Sequence, residues 1–153
     1  NKEDSFSSKE DIMNKSFKGL MEDQTIERIR LSTPNGLMGY KISKLQVFPY
    51  SDNTIEATLK VFTTKQTATS NSADFNDPTL IGAVYFSMDS NTASYPEDMT
   101  VIIDSKIFNQ DIYITLHCHN SAADLNYYME LEQVKLDVNE ATVATLKDMR
   151  AGE

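Results

Sequence analysis

The sequence predicts an all-β domain: an antiparallel β-sandwich, jelly-roll-like, with a short helix at each terminus. Three observations predict it. Apolar and polar residues alternate with a period of two from about residue 25 to residue 136. Turn signals such as Thr33-Pro34-Asn35-Gly36 and Ser51-Asp52-Asn53 interrupt these runs at the spacing of a sandwich. Helices do not alternate with strands, which disfavours a parallel α/β sheet.

Residues 1–24 read as an N-terminal arm, and residues 25–153 as the β-sandwich domain with its C-terminal helix. Asn1 to Ser8 is polar, and Ser7 with Glu10 fits a capping box that opens a short helix. Met13, Phe17, Leu20 and Met21 then fall on one helical face, an apolar stripe expected to bind a partner. The charged and polar start is unlike a secretory leader, and the missing initiator Met leads us to expect a beginning that was trimmed or that lies outside the structure.

The period changes at Thr25, and Glu27, Ile29 and Leu31 share one side of the first predicted strand. The next runs from Leu37 to Phe48 and stops at Pro49, which cannot donate to a ladder. Ile55, Ala57, Leu59 and Val61 alternate cleanly, and Leu80 to Met88 is nearly continuous in apolar residues, as suits a central strand. Polar stretches at 64–77 and 89–98 are longer than ordinary hairpin loops. Thr100–Ile103 and Ile112–Cys118 follow, then Asn126–Leu136, where the parity of apolar residues switches. A β-bulge near Glu132-Gln133 would reconcile the two sets. The strands at 112–118 and 127–131 are expected to be paired through the core. Asp137 and Glu140 form an acidic capping box for a last helix with Val143, Leu146 and Met149 as its apolar stripe.

The 153 residues carry 23 acidic against 14 basic side chains, a net charge of −9. The basic residues are scattered singly, so direct binding of a phosphate backbone is not expected. No apolar run approaches the roughly 18 residues of a membrane span, so no membrane partner is expected. One cysteine, Cys118, allows no internal disulfide.

The sharpest chemical candidate is His117-Cys118-His119, where both imidazoles project from one face of a strand and form a candidate metal pair. A third ligand is missing from the pattern, and the plainer reading keeps the histidines outward and Cys118 packed as a small hydrophobe. Neither histidine points toward the Cys118 sulfur, which disfavours a nucleophilic pair. Asp74, Asp77, Asp89, Glu97 and Asp98 could attract calcium but lack EF-hand spacing and read as solvated loop acids. Glu130 and Glu132 read as a polar outer face rather than a hydrolytic pair. Seven tyrosines raise carbohydrate binding, although Trp is absent and packing at sheet rims accounts for them. No catalytic residue, cofactor or tightly bound metal is expected.

The run Phe108-Asn109-Gln110-Asp111-Ile112-Tyr113-Ile114-Thr115, the run Asn126-Tyr127-Tyr128-Met129-Glu130-Leu131-Glu132 and the segment from Asn139 to Arg150 resemble virion structural proteins of marine tailed phages. Gly39-Tyr40-Lys41-Ile42 and Asp77-Pro78-Thr79-Leu80 are similar too, so the resemblance covers roughly residues 36–150; segments 1–24 and 89–99 match less well. It implies a non-enzymatic virion component, a capsid decoration or cementing subunit of a bacteriophage, and brings no catalytic residues. Its partners would be the major capsid protein or neighbouring copies in a homo-oligomer or symmetric array. The alternative is a carbohydrate-binding β-sandwich for receptor or glycan recognition, and a third reading is a metal-dependent enzyme centred on His117 and His119.

Overall fold

The structure, a computed structural model, describes residues 14–33, 35–89 and 98–151, the last four without their side chains. The elements run β1 (Asn14–Met21), β2 (Thr25–Ile29), β3 (Met38–Pro49), β4 (Ile55–Phe62), β5 (Leu80–Met88), β6 (Asp98–Ile103), β7 (Ile112–Cys118), β8 (Leu125–Lys135) and α1 (Val138–Ala151). The strands form two antiparallel sheets, one ordered β1-β8-β3 and the other β2-β7-β4-β5-β6.

Inward residues at period two position the strands that build the core. Ile55, Ala57, Leu59 and Val61 of β4 and Ile112, Ile114, Leu116 and Cys118 of β7 point inward from the larger sheet. Leu125, Tyr127, Met129 and Leu131 of β8 point inward from the smaller one, and all join a single hydrophobic cluster. The sheets approach closely at Gly82 of β5, where Leu45 and Ile42 of β3 fill the space above the missing side chain. The strands at 112–118 and 127–131 are therefore not ladder partners; they lie in opposite sheets and share that core.

Three expectations need correction. Asn14–Met21 is not helical but an edge strand hydrogen-bonded along β8, from Asn14 opposite Glu132 to Met21 opposite Leu125. A short helix has no way to satisfy the open edge of β8, whereas a strand pairs it. The expected helix start at Ser7–Glu10 lies outside the described residues. The bulge sits in β3, not β8: the register with β8 skips Ser43 between Ile42 and Lys44. This extra residue turns Tyr40 and Ile42, then Leu45 and Val47, to the same buried side. With β8 unbulged, Leu136 does not rejoin the core and instead lines a groove beside α1.

α1 starts at the expected box: the Asp137 N–H donates to Glu140 Oε1 at 3.1 Å, and the Glu140 N–H to Asp137 Oδ1 at 2.7 Å. The third correction concerns its docking face. Val143 and Leu146 are largely exposed, the Met149 side chain is outside the described residues, and the buried contact is made by Ala141. Asn109, fully buried, holds the helix by donating from Nδ2 to Ala141 O, Thr145 Oγ1 and Gly36 O.

Asp111 fixes the start of β7. Its carboxylate accepts from the Leu31 N–H at 2.7 Å, the Ser32 N–H at 2.9 Å and the Arg28 guanidinium. Burial pushes this carboxyl upward, but the hydrogen bonds from Ser32, Leu31 and Arg28 outweigh it and hold the value at about 2.

Candidate functional site

His117 and His119 lie on the outward face of the larger sheet, while Cys118 between them turns into the core. The segment after β4 crosses this face and supplies Thr69, while β4 itself supplies Thr58 and Glu56. Thr69 Oγ1 is 2.9 Å from His117 Nδ1, and Thr58 Oγ1 is 2.8 Å from His119 Nε2. Glu56 lies 3.7 Å from His119 Nδ1 and accepts from Tyr85 OH at 2.6 Å and Asn120 Nδ2 at 3.0 Å. The hydrogen bond to Glu56 raises the Tyr85 phenol, because it stabilises the protonated form. Each imidazole is thus occupied by its own hydroxyl, and among the described residues no group of three His, Cys, Asp or Glu side chains converges on one metal position. The Cys118 thiol is pushed up by burial and donates to Ala123 O at 3.4 Å, so its environment favours the thiol over the nucleophilic thiolate.

The loop acids serve local turns. Asp74 accepts from the Asn76 N–H, Asp77 from the N–H and hydroxyl of Thr79, and Asp89 from Thr54 Oγ1. Asp98 opens β6, and Glu97 lies outside the described residues. Glu130 accepts from Tyr128 OH at 2.7 Å, and Glu132 pairs with Lys41 at 3.4 Å.

The four side chains of the expected partner-binding stripe do not share a face. Met21 is buried in the core, Phe17 packs against the core, and Leu20 is 46% exposed on the opposite side of β1. Met13 lies outside the described residues. The tyrosines divide similarly: Tyr40 and Tyr127 are core residues, Tyr50 is exposed, and Tyr95 lies outside the described residues.

Two surface grooves that sequence reasoning missed are the more substantial features. The larger, about 1050 Å³, runs beside α1 between Ile107, Leu136, Val143 and Ala144, with Asp104 and Lys147 among its polar residues. The second, about 550 Å³, lies on the smaller sheet and is lined by Lys18, Leu20, Gln46, Phe48, Asn126 and Tyr128, with Gly19, Val47 and Tyr127 between them. The six share one outward parity across β1, β8 and β3, in the rows Leu20–Asn126–Phe48 and Lys18–Tyr128–Gln46. The signal was present as alternation, but it needs β1 to be a strand.

Among the described residues no helix is long and apolar enough to cross a membrane. Comparison with protein-family models, curated proteins and solved structures returns no match.

Proposed function

We propose that this chain is a non-enzymatic structural subunit of a virus particle, a jelly-roll sandwich that works by packing against neighbouring copies or the major capsid protein. The observation that carries the reading is the strand order. Folding one long antiparallel hairpin of eight strands pairs 1 with 8, 2 with 7, 3 with 6 and 4 with 5; rolling it up then sets 8 beside 3 and 7 beside 4. The pairs β1–β8, β2–β7, β4–β5, β8–β3 and β7–β4 all occur. One pair departs from the scheme: β6 joins β5, and β3 instead forms a bridge from Tyr40 to Phe108, beyond β6. Jelly rolls recur in viral capsid and lectin domains. A fold alone does not fix a function, so the reading also leans on the resemblance of residues 36–150 to virion proteins.

The groove beside α1 supplies the contact surface. Val143 is 51% exposed there, with Ile107 also open to solvent. Exposed apolar side chains around a concave surface are what a neighbouring subunit buries. Sedimentation across a concentration series, with electron microscopy of the concentrated protein, tests the reading. Concentration-dependent association that Val143→Asp weakens, with unchanged circular dichroism, is the expected result. A chain that stays monomeric at its highest attainable concentration and fails to bind isolated phage particles overturns it.

A further inference from the structure

We propose that the outward face of the β1-β8-β3 sheet binds a short oligosaccharide bearing a carboxylated sugar. The inference goes beyond the particle-assembly reading and does not depend on it.

The first support is the exposure of rings. Phe48 is 72% exposed, and Leu20 stands two positions away in the same row, across Asn126. In the next row, Tyr128 lies between Lys18 and Gln46, and its hydroxyl is tied to Glu130 at 2.7 Å, which fixes the ring. Pyranose rings present apolar C–H faces that stack on such side chains. A platform fixed before binding loses little entropy on binding.

The second support is the polar pattern. The side-chain amides of Gln46 and Asn126 make no hydrogen bond among the described residues, although both line the groove. Each amide offers donors and an acceptor, matching vicinal hydroxyls that also donate and accept. A protein partner fits less well, because the core of such an interface is contiguous and depleted of charge. Here an amide or an ammonium interrupts each apolar row.

Charge selects among sugars. Lys18 is the sole charged residue of the groove and forms no ion pair among the described residues. The outward face as a whole carries Lys18, Lys41 and Lys44 against Glu130 and Glu132, three positive to two negative, within a chain of net −9. A carboxylate meets local attraction at Lys18, whereas a long polyanion or nucleic acid meets the acidic remainder. The groove volume of about 550 Å³ falls in the range of small-ligand clefts, roughly 300–1,000 Å³.

The test is titration of the intact chain with sialyllactose and with trigalacturonate as acidic probes, and with lactose as the neutral one, followed by amide chemical shifts. Binding of an acidic probe with shifts centred on Leu20, Phe48, Asn126 and Tyr128 is expected. Phe48→Ala should weaken it roughly tenfold, the scale of one lost ring contact. Lys18→Gln should bring the acidic probe down to the affinity of lactose. Val143→Asp, on the helix groove, should change neither, so a failure of assembly stays separate from a failure of sugar binding. Absence of binding to either acidic probe, shifts that map elsewhere, or affinity that survives Phe48→Ala overturns the site. Equal affinity for lactose and both acidic probes overturns the carboxylate assignment.

Discussion

Replacing Asp111 by Asn tests whether one carboxylate fastens the β2–β3 connection to the start of β7. The Asp111 side chain is only 9% exposed and accepts the backbone N–H groups of Leu31 and Ser32. Its carboxyl is held at about 2 against an ordinary 3.8. At about 1.4 kcal/mol per pH unit, that difference is worth about 2 kcal/mol of stability. The sign follows from the direction: a depressed carboxyl stabilises the fold fully above its unfolded value, and loses that contribution as pH falls from about 4 toward 2. Asp111→Asn keeps an acceptor for the two N–H groups but loses the charge, so it should cost about 2 kcal/mol near neutrality. Asp111→Ala also strands the buried Leu31 N–H, adding about 1–3 kcal/mol. Arg28 is half exposed, so Arg28→Ala should cost less than either. Urea unfolding across a pH series reads the difference. The gap between the parent and Asp111→Asn should close between about pH 5 and pH 2. A deficit that stays constant over that window, or no deficit near neutrality, would refute the reasoning.

Gly19→Ala should destabilise by about 1–3 kcal/mol in thermal or urea unfolding, because overpacking forces a buried neighbour to shift. A Cβ at Gly19 would stand 2.9 Å from Tyr127 Cε1, a buried ring, and the penalty should shrink when Tyr127→Leu is also present. Asn109→Ala should cost about 1–3 kcal/mol and speed amide exchange along α1, since it removes the amide that holds Ala141 O and Thr145 Oγ1. Unchanged protection of the helix would show that α1 docks by other means.

What was legible in the sequence was local alternation; what was not depended on partners distant in the chain. Strands β2 to β8 stand near their expected positions, and in all of them but β6, which is exposed along nearly its whole length, residues repeating with period two face the core. β1 was hidden by a coincidence of spacing. Its inward positions include Phe17, Gly19 and Met21, and the middle one has no side chain because Tyr127 occupies that space. The remaining apolar residues then mimicked a helical stripe. The same limit applies to α1, which docks through small Ala141 onto a polar anchor, Asn109, 32 residues earlier, rather than through its bulky side chains. The histidines were correctly placed on one outward face, but Thr58 and Thr69, their partners, are 61 and 48 residues away in sequence. The groove on the smaller sheet needed all three strands in register before Leu20, Phe48 and Tyr128 became neighbours.

The two outward faces differ because the long polar segment after β4 covers one of them. Thr58, Lys60 and Thr115 have outward parity on the larger sheet, yet all three are buried. A buried ammonium is costly unless hydrogen-bonded, and desolvation lowers the pKa of Lys60. The covering segment answers that cost, with Ser70 Oγ accepting from Lys60 Nζ at 3.0 Å and Ser72 O at 2.6 Å. The Ser, Thr and Asn content of the segment, which in the sequence was only a polar stretch longer than an ordinary hairpin loop, is therefore the composition needed to line a polar sheet face. An apolar segment of equal length would leave Lys60 without acceptors and His117 without Thr69. With that face closed by its own chain, the smaller sheet and the side of α1 remain as the surfaces open to a ligand or a neighbour.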